Sequence, residues 1–535
     1  MTVPQRSPDR VPNKNLPNNL LLHAWVFALA LGASVFLAAL VKQPGYTDAY
    51  YYFNAAHRLV TGAGLTDPYL WHYLNPPNHL PAPAHSYWMP LQSLLAAAAM
   101  KLFGPSFGAA QIPSVLCFAA LVTATFSLGN YLGGRRHACI AALLVLFSGF
   151  YVPVWTTTDT FATYGLAGSL SLAAAGLGRQ RRSPWWFLIA GALAGLGHLA
   201  RADGLLLILI AALAALLPGE RAPWRSRAAW ILAAVLGYLA VMGPWFARNL
   251  SELGTPLPAA GAAAIWLRGY EELVHYPAQP SFHAFAEWGM DNILASRWLA
   301  LRNNLATFIA AETWVILSPF VLVGLWQLRR RALIQVVILY AIALHLVMTL
   351  VFAYPGYRGG LFHSASALLP YWAVAGVLGL DRAIEAAASR RGWPLQQARR
   401  VFSTALVVLA AALSLYILVA RVPALNNNAI FYRTLAADLP SDARLIANDP
   451  AALYYHTGLG GVVLPDAPPE RVLDLSARYG VDYLVLDENR TETFAALYRD
   501  EVTYPFLRLH RVYLHPQHGT EVQVYAIVYP EEREP

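Results

Sequence analysis

Over most of its length the chain runs apolar positions in blocks instead of alternating them with polar ones. Eleven blocks, near residues 20–41, 109–132, 138–155, 161–178, 184–201, 202–217, 228–247, 306–327, 332–352, 361–380 and 401–420, predict helices that cross a bilayer, which takes about 17 to 25 residues. A shorter block at 88–103 is expected to lie in the interface. From residue 421 the pattern changes. Strand-like runs (RLIAND, GVVLP, VDYLVLD, LRLHRVYL, EVQVYAIVY) follow or enclose helix-compatible ones (PAALYYHTG, PPERVLDLSARYG), which predicts a small α/β domain with a mixed sheet over 421–535.

Composition turns this pattern into a class. Of 535 residues, 57% are hydrophobic and only 13% charged, against roughly a quarter charged in soluble domains, and the mean hydropathy is +0.42. The expected fold is an α-helical polytopic membrane protein of about eleven transmembrane helices with the α/β domain appended. Cys117 and Cys139 both lie in apolar blocks, so neither a disulfide framework nor a thiolate metal site is expected.

The net charge of +8 is unevenly spread. Residues 421–535 carry 10 Arg against 16 Asp and Glu, net −6, which leaves +14 on the membrane part. Its arginines cluster between the blocks: Arg135 and Arg136; Arg179, Arg181 and Arg182; Arg221, Arg225 and Arg227; Arg329, Arg330 and Arg331; and Arg382, Arg390, Arg391, Arg399 and Arg400. Placing all of them, with Arg6, Arg10 and Lys14, in the cytoplasm satisfies the positive-inside rule. Residues 1–19 then form a cytoplasmic tail and 20–420 the transmembrane region of an inner (plasma) membrane protein. The loop 42–108, the long loop 248–305 and the domain 421–535 fall outside the cell. Nucleic acid is not an expected partner, because the positive excess reports orientation.

Ionisable residues at the outer block ends are costly unless they are paired or face water, which makes them candidates for chemistry. Asp48, in YTDAYYYFNAAHRL, reads equally as a helix N-cap and as a catalytic acid, and one carboxylate can serve both roles. Asp159, in VPVWTTTDTFATYG, is a cap or a second carboxylate facing Asp48. Arg201 and Asp203, in HLARADGLLL, read as a local ion pair, with Arg201 also suited to grip a phosphate. Arg358, in FAYPGYRGGLFHSA, sits in a turn whose free N–H groups favour an anion. Arg248 reads first as an interface anchor. The fifteen histidines show no metal-binding spacing, while Asp48 with Asp159 could hold a divalent cation.

Outward carboxylates and guanidinium groups at headgroup level suit a membrane lipid with a phosphate head, such as a polyprenyl-phosphate sugar. Phosphate leaves as a stable anion, so the donor side needs positive charge more than a general acid, and one carboxylate is enough to orient and deprotonate an acceptor. The competing reading is a non-catalytic lipid or polysaccharide transporter. That reading expects ionisable residues deep in the spans, where the sequence offers little beyond His345, with Glu312 and His363 nearer the ends.

Asp48 in the first loop is followed in order by HSYWMPLQSLLAAAAMKLFG, GLGHLARADGLLL, GPWFARNLSELGTPLP and YRGGLFHSASALLPYWAVAG. Their order and side resemble the GT-C superfamily of membrane glycosyltransferases, above all its protein mannosyltransferase and aminoarabinose transferase-like branch (glycosyltransferase family 39-like), over most of 20–420. The resemblance implies juxtamembrane helices in the first outer loop. It also implies inverting transfer of a hexosyl or pentosyl group from a polyprenyl-phosphate donor to a lipid, glycan or protein acceptor. Asp48 matches the first-loop catalytic acid, Asp159 a second acidic position, and Arg358 a lipid-phosphate contact. Tyr46, His85, Arg201 and Arg248 complete the expected substrate-binding set. Asp48 is followed by Ala49 where the branch has a second acid, and His85 by Ser86 and Tyr87 where it has two prolines, so the acceptor is not named.

Overall fold

The computed structural model describes residues 16–218, 222–277, 279–427, 429–516 and 519–529. Residues 1–15, with Arg6, Arg10 and Lys14, and Arg221 lie outside the described residues.

Among the described residues, seven helical segments are long and apolar enough to cross a membrane: Leu20–Leu40, Phe107–Gly133, Phe161–Arg181, Trp224–Leu253, Ala332–Val351, Ala353–Arg391 and Leu395–Leu425. Shorter apolar helices are Leu91–Phe103, Pro184–Ala200, Ala202–Leu216 and Ser318–Leu328. Two blocks that read as single spans are broken. The block 138–155 is helical only to Leu146, where Arg135–Leu146 ends, and continues through a 3-10 turn and irregular backbone. The block 306–327 is split by a π-turn at Phe308–Glu312 and by positive φ at Trp314 and Val315 before Ser318–Leu328 resumes. The two breaks are joined by Trp314. The Trp314 indole N–H donates to the carbonyls of Leu144 and Phe147, satisfying groups left open at the end of the first short helix. Beside it the fully buried Glu312 accepts from Trp372 at 2.9 Å and faces His345 Nε2 at 3.2 Å.

Helix packing relies on glycine where two backbones touch. A Cβ on Gly191 would lie 1.8 Å from the Ala234 carbonyl and one on Gly237 2.1 Å from that of Leu188, which locks Pro184–Ala200 against Trp224–Leu253. Gly324 and Gly379 do the same for Ser318–Leu328 and Leu369–Arg391, each 1.9 Å from a facing carbonyl. In lipid, where helices gain little from apolar burial, such close approach carries much of the association.

The arginine clusters gather at one end of the bundle. Arg136 pairs with Asp381 at 2.6 Å, and Arg399 joins Asp381 at 3.8 Å and contacts Glu385. Phe161–Arg181 starts beside Asp159 and ends at Arg179 and Arg181, so those clusters and Asp159 occupy opposite ends of the helices.

The C-terminal domain holds a mixed sheet whose edge strand comes from the first loop. In chain order its strands are β1 (Tyr69–Leu70), β2 (Leu445–Ala447), β3 (Gly461–Val463), β4 (Tyr483–Leu486), β5 (Leu507–Leu514) and β6 (Glu521–Ile527), in spatial order β1-β3-β2-β4-β6-β5. The first four are parallel and the last two antiparallel, with Tyr69 opposite Gly461 and Leu70 opposite Val462. The helix Arg471–Tyr479 buries Val472, Leu475, Ser476 and Tyr479, one helical face, in the core of this domain.

Gly191→Val is expected to drive a side chain into the Ala234 carbonyl and cost about 1–3 kcal/mol. Detergent-resistant thermal unfolding should record a lowered midpoint; an unchanged midpoint would mean that the two helices are not in backbone contact.

Candidate functional site

At the end of the bundle away from the arginine clusters, four segments far apart in sequence converge. The first is the helix Thr47–Val60, whose N-cap Tyr46 is extended and whose first turn carries Asp48. The second is the turn 155–160, a run of Trp, Thr and Asp that is almost wholly buried. It is tied to the first helix because the Thr158 hydroxyl donates to the Ala49 carbonyl at 2.7 Å. The third is the turn around Arg201. The fourth is the broken stretch 353–368, where Gly359 takes φ +138, a backbone state open to glycine and little else.

Asp48, Asp159 and His363 place one oxygen or nitrogen each within 4.8 Å of one another. His363 Nε2 lies 2.9 Å from Asp159 Oδ2 and 4.0 Å from Asp48 Oδ2. The Tyr46 hydroxyl donates to Asp159 Oδ2 at 2.9 Å, and burial, followed by the Asp159 charge, holds this phenol neutral. The imidazole stacks on Phe161 with centroids 3.9 Å apart, and its Nδ1 lies 2.8 Å from the Gly359 carbonyl. A carbonyl only accepts, so Nδ1 carries the proton and Nε2 faces the carboxylates, either as an imidazolium donor or with a lone pair for a metal ion.

The two carboxylates are driven apart. Burial and then the neighbouring Asp159 charge push Asp48 up to about 6, with Asp449 adding in the same direction and His363 and Arg201 opposing. Burial also acts to raise Asp159, but His363, the Thr160 N–H and Arg201 outweigh it and hold this carboxyl below its usual range. Asp159 is thus the fixed anion, and Asp48, with its side chain 29% exposed, is the acid that titrates near neutrality.

Arg201 makes the local pair with Asp203, Nε to Oδ1 at 3.1 Å, and also donates to Ser364 Oγ at 3.2 Å, while Ser364 in turn contacts Asp203. Arg358 is exposed, lies over the Tyr270 ring at 5.9 Å, and has no hydrogen-bond or ion-pair partner among the described residues. It precedes Gly359, whose carbonyl orients His363. Arg248 stands over Trp245 at 4.8 Å and donates to Asn249, and its charge is felt at Asp67 rather than at the acid cluster. His85 is fully buried with φ 64 among Tyr51, Tyr52, Trp88 and Trp245; its Nδ1 donates to the Trp88 carbonyl and its Nε2 has no partner among the described residues. The geometry therefore joins Tyr46, Asp48, Asp159 and Arg201, keeps Arg358 in the turn that holds His363, and sets His85 and Arg248 in the aromatic wall of the first loop. Sequence spacing passed over His363 as a site residue, and no local signal marks it, since it meets its partners only across more than 200 positions.

Residues 84–246 match the family model described as dolichyl-phosphate-mannose-protein mannosyltransferase. No curated protein sequence matches the chain. Among solved structures, the archaeal oligosaccharyltransferase AglB from Archaeoglobus fulgidus, in complex with an inhibitory peptide and a dolichol-phosphate, is similar over 97% of this chain and 75% of its own, at 14% identity and TM-score 0.60. A structure of the Archaeoglobus fulgidus oligosaccharyltransferase complexed with zinc and sulfate is similar over 94% and 73%, at 14% identity and TM-score 0.58. ArnT from Cupriavidus metallidurans, bound to undecaprenyl phosphate, is similar over 96% and 100%, at 15% identity and TM-score 0.54. At these identities the likeness shows the fold: the chain is a polytopic membrane protein with the GT-C fold of membrane glycosyltransferases.

Because the ionised form of Asp48 is disfavoured in the fold, its stability contribution is best below 3.8 and is lost as pH rises through about 6. With chelator present, Asp48→Asn is expected to stabilise the protein by about 3 kcal/mol at pH 8 and by less at pH 5. Thermal unfolding at the two pH values checks this, and identical midpoints for variant and wild type at pH 8 would contradict it.

Proposed function

We propose that the protein is an inverting glycosyltransferase that moves a hexosyl or pentosyl group from a polyprenyl-phosphate donor to an acceptor on the outer face of the membrane. The observation that carries this reading is the meeting of Asp48, Asp159 and His363, with the Arg201 charge acting on both carboxylates and Arg358 in the turn whose next carbonyl orients His363, at the end of the bundle opposite the basic clusters. In this reading the clusters mark the cytoplasmic side, so the N-terminus is cytoplasmic and the site and C-terminal domain face out. The bound lipid phosphates in the AglB and ArnT structures support a donor of this class.

Asp48 acts as base or acceptor-orienting carboxylate, with an acidity suited to accepting a proton near neutral pH. Tyr46 and His363 hold Asp159 as the fixed negative neighbour. Arg358, and Arg201 beyond its pair with Asp203, take the donor phosphate, where a charge-assisted bond is worth about 1.5–3 kcal/mol. His85 and Arg248 act on the substrate side only indirectly, through the aromatic wall in which they pack against Trp245. The chemistry of two carboxylates and an imidazole Nε2 fits a divalent cation, which Asp48, Asp159 and His363 would hold. When bound, such an ion supplies positive charge to the leaving phosphate.

Purified protein given polyprenyl-phosphate sugars is expected to release free polyprenyl phosphate. Asp48→Asn should cut kcat by about 10²–10⁴-fold, and Arg358→Ala should raise KM for the lipid donor by about tenfold. Undiminished turnover in Asp48→Asn would remove the mechanism, and an unchanged donor KM in Arg358→Ala would remove the assigned phosphate contact.

A further inference from the structure

The helix that bears Asp48 is gripped from two sides. Toward the bundle, the Ala49 carbonyl accepts from Thr158. Toward the C-terminal domain, a face spaced 47, 50, 54, 58 makes four polar contacts, the spacing of one helical stripe. Thr47 Oγ1 donates to Asp449 Oδ2 at 2.9 Å, and the Tyr50 hydroxyl meets His456 Nε2 at 3.1 Å. Asn54 Nδ2 donates to the Ala451 carbonyl at 2.9 Å, and Arg58 Nη1 donates to the Tyr454 hydroxyl at 3.0 Å. All the partners lie on or immediately before one helix, Pro450–Thr457. Asp449 caps that helix with Oδ1 on the Ala452 N–H at 3.0 Å. A cap needs only one oxygen, and the second is spent on the residue next to Asp48.

We propose that the C-terminal domain is a working part of the catalytic site, in which Asp449, acting through Thr47, is a positioning residue that fixes the first turn of the Asp48 helix against His363. The inference rests on the assignment of Asp48 above. First turns lack internal partners for their N–H groups and move most easily. A displacement of about 1 Å in a reacting group costs on the order of 100-fold in rate. Holding Thr47 from outside the bundle removes that freedom.

The test uses the full-length protein, with polyprenyl-phosphate sugar as substrate and release of polyprenyl phosphate as readout. Thr47→Val, which keeps shape and loses the hydroxyl, is expected to lower kcat roughly 10- to 100-fold with donor KM unchanged. Thr47→Ser, which restores the hydroxyl, should return kcat to within about threefold of wild type. Tyr454→Phe, which cuts the contact at the far end of the same face, should leave kcat at the wild-type value. If Thr47→Val does not fold, Asp449→Ser takes its place, since serine still caps the helix but is too short to hold both partners. Wild-type kcat in Thr47→Val, or an equal loss in Tyr454→Phe, overturns the positioning role. Asp48→Asn measured alongside separates the two claims: full activity there defeats the assignment of Asp48 itself, whereas an inactive Asp48→Asn beside a wild-type Thr47→Val defeats only the part given to Asp449.

Discussion

A carboxylate buried beside another carboxylate is tolerated only when positive charge or donors reach it. Asp159 is 1% exposed, with Asp48 close by, and this pairing sets the terms for the surrounding structure. His363, Tyr46, the Thr160 N–H and the Arg201 charge all point at it. They come from separate turns at one end of the bundle, so the site forms only when the helices between them are packed. The glycine contacts that bring those helices to backbone distance are therefore also conditions for the chemistry.

Much of the architecture was legible from hydrophobic runs, because a membrane span needs length and little else. The α/β pattern after residue 421 and its mixed sheet were legible for a related reason, since strand and helix periods differ. The misjudged stretches share one cause. Residues 138–155 and 306–327 are apolar enough to span, yet both are broken where Trp314 and Glu312 find tertiary partners, and composition carries no trace of such partners. Within the site, Asp48, Asp159, Tyr46 and Arg201 drew notice because charge or aromatic groups at a block end are costly or unusual. His363 did not, since a lone histidine near a helix end is ordinary until the fold sets it beside two acids. Nothing in the sequence of the first loop announced that Tyr69 and Leu70 would pair with Gly461 and Val462, because a two-residue edge strand has no period to detect.

The C-terminal domain is drawn into the same scheme. It borrows β1 from the first loop and returns a helix, Pro450–Thr457, that lies along the element bearing Asp48. The acid cluster thus sits where the bundle meets the C-terminal domain, at the start of a helix held from both.

The most direct measurement is the structure of the protein with a polyprenyl phosphate and Mn²⁺ bound. The account predicts the phosphate within hydrogen-bond reach of Arg358 or Arg201 and the ion on Asp48, Asp159 and His363. A phosphate seated instead at the opposite end of the bundle, among Arg179, Arg330 and Arg331, would contradict it.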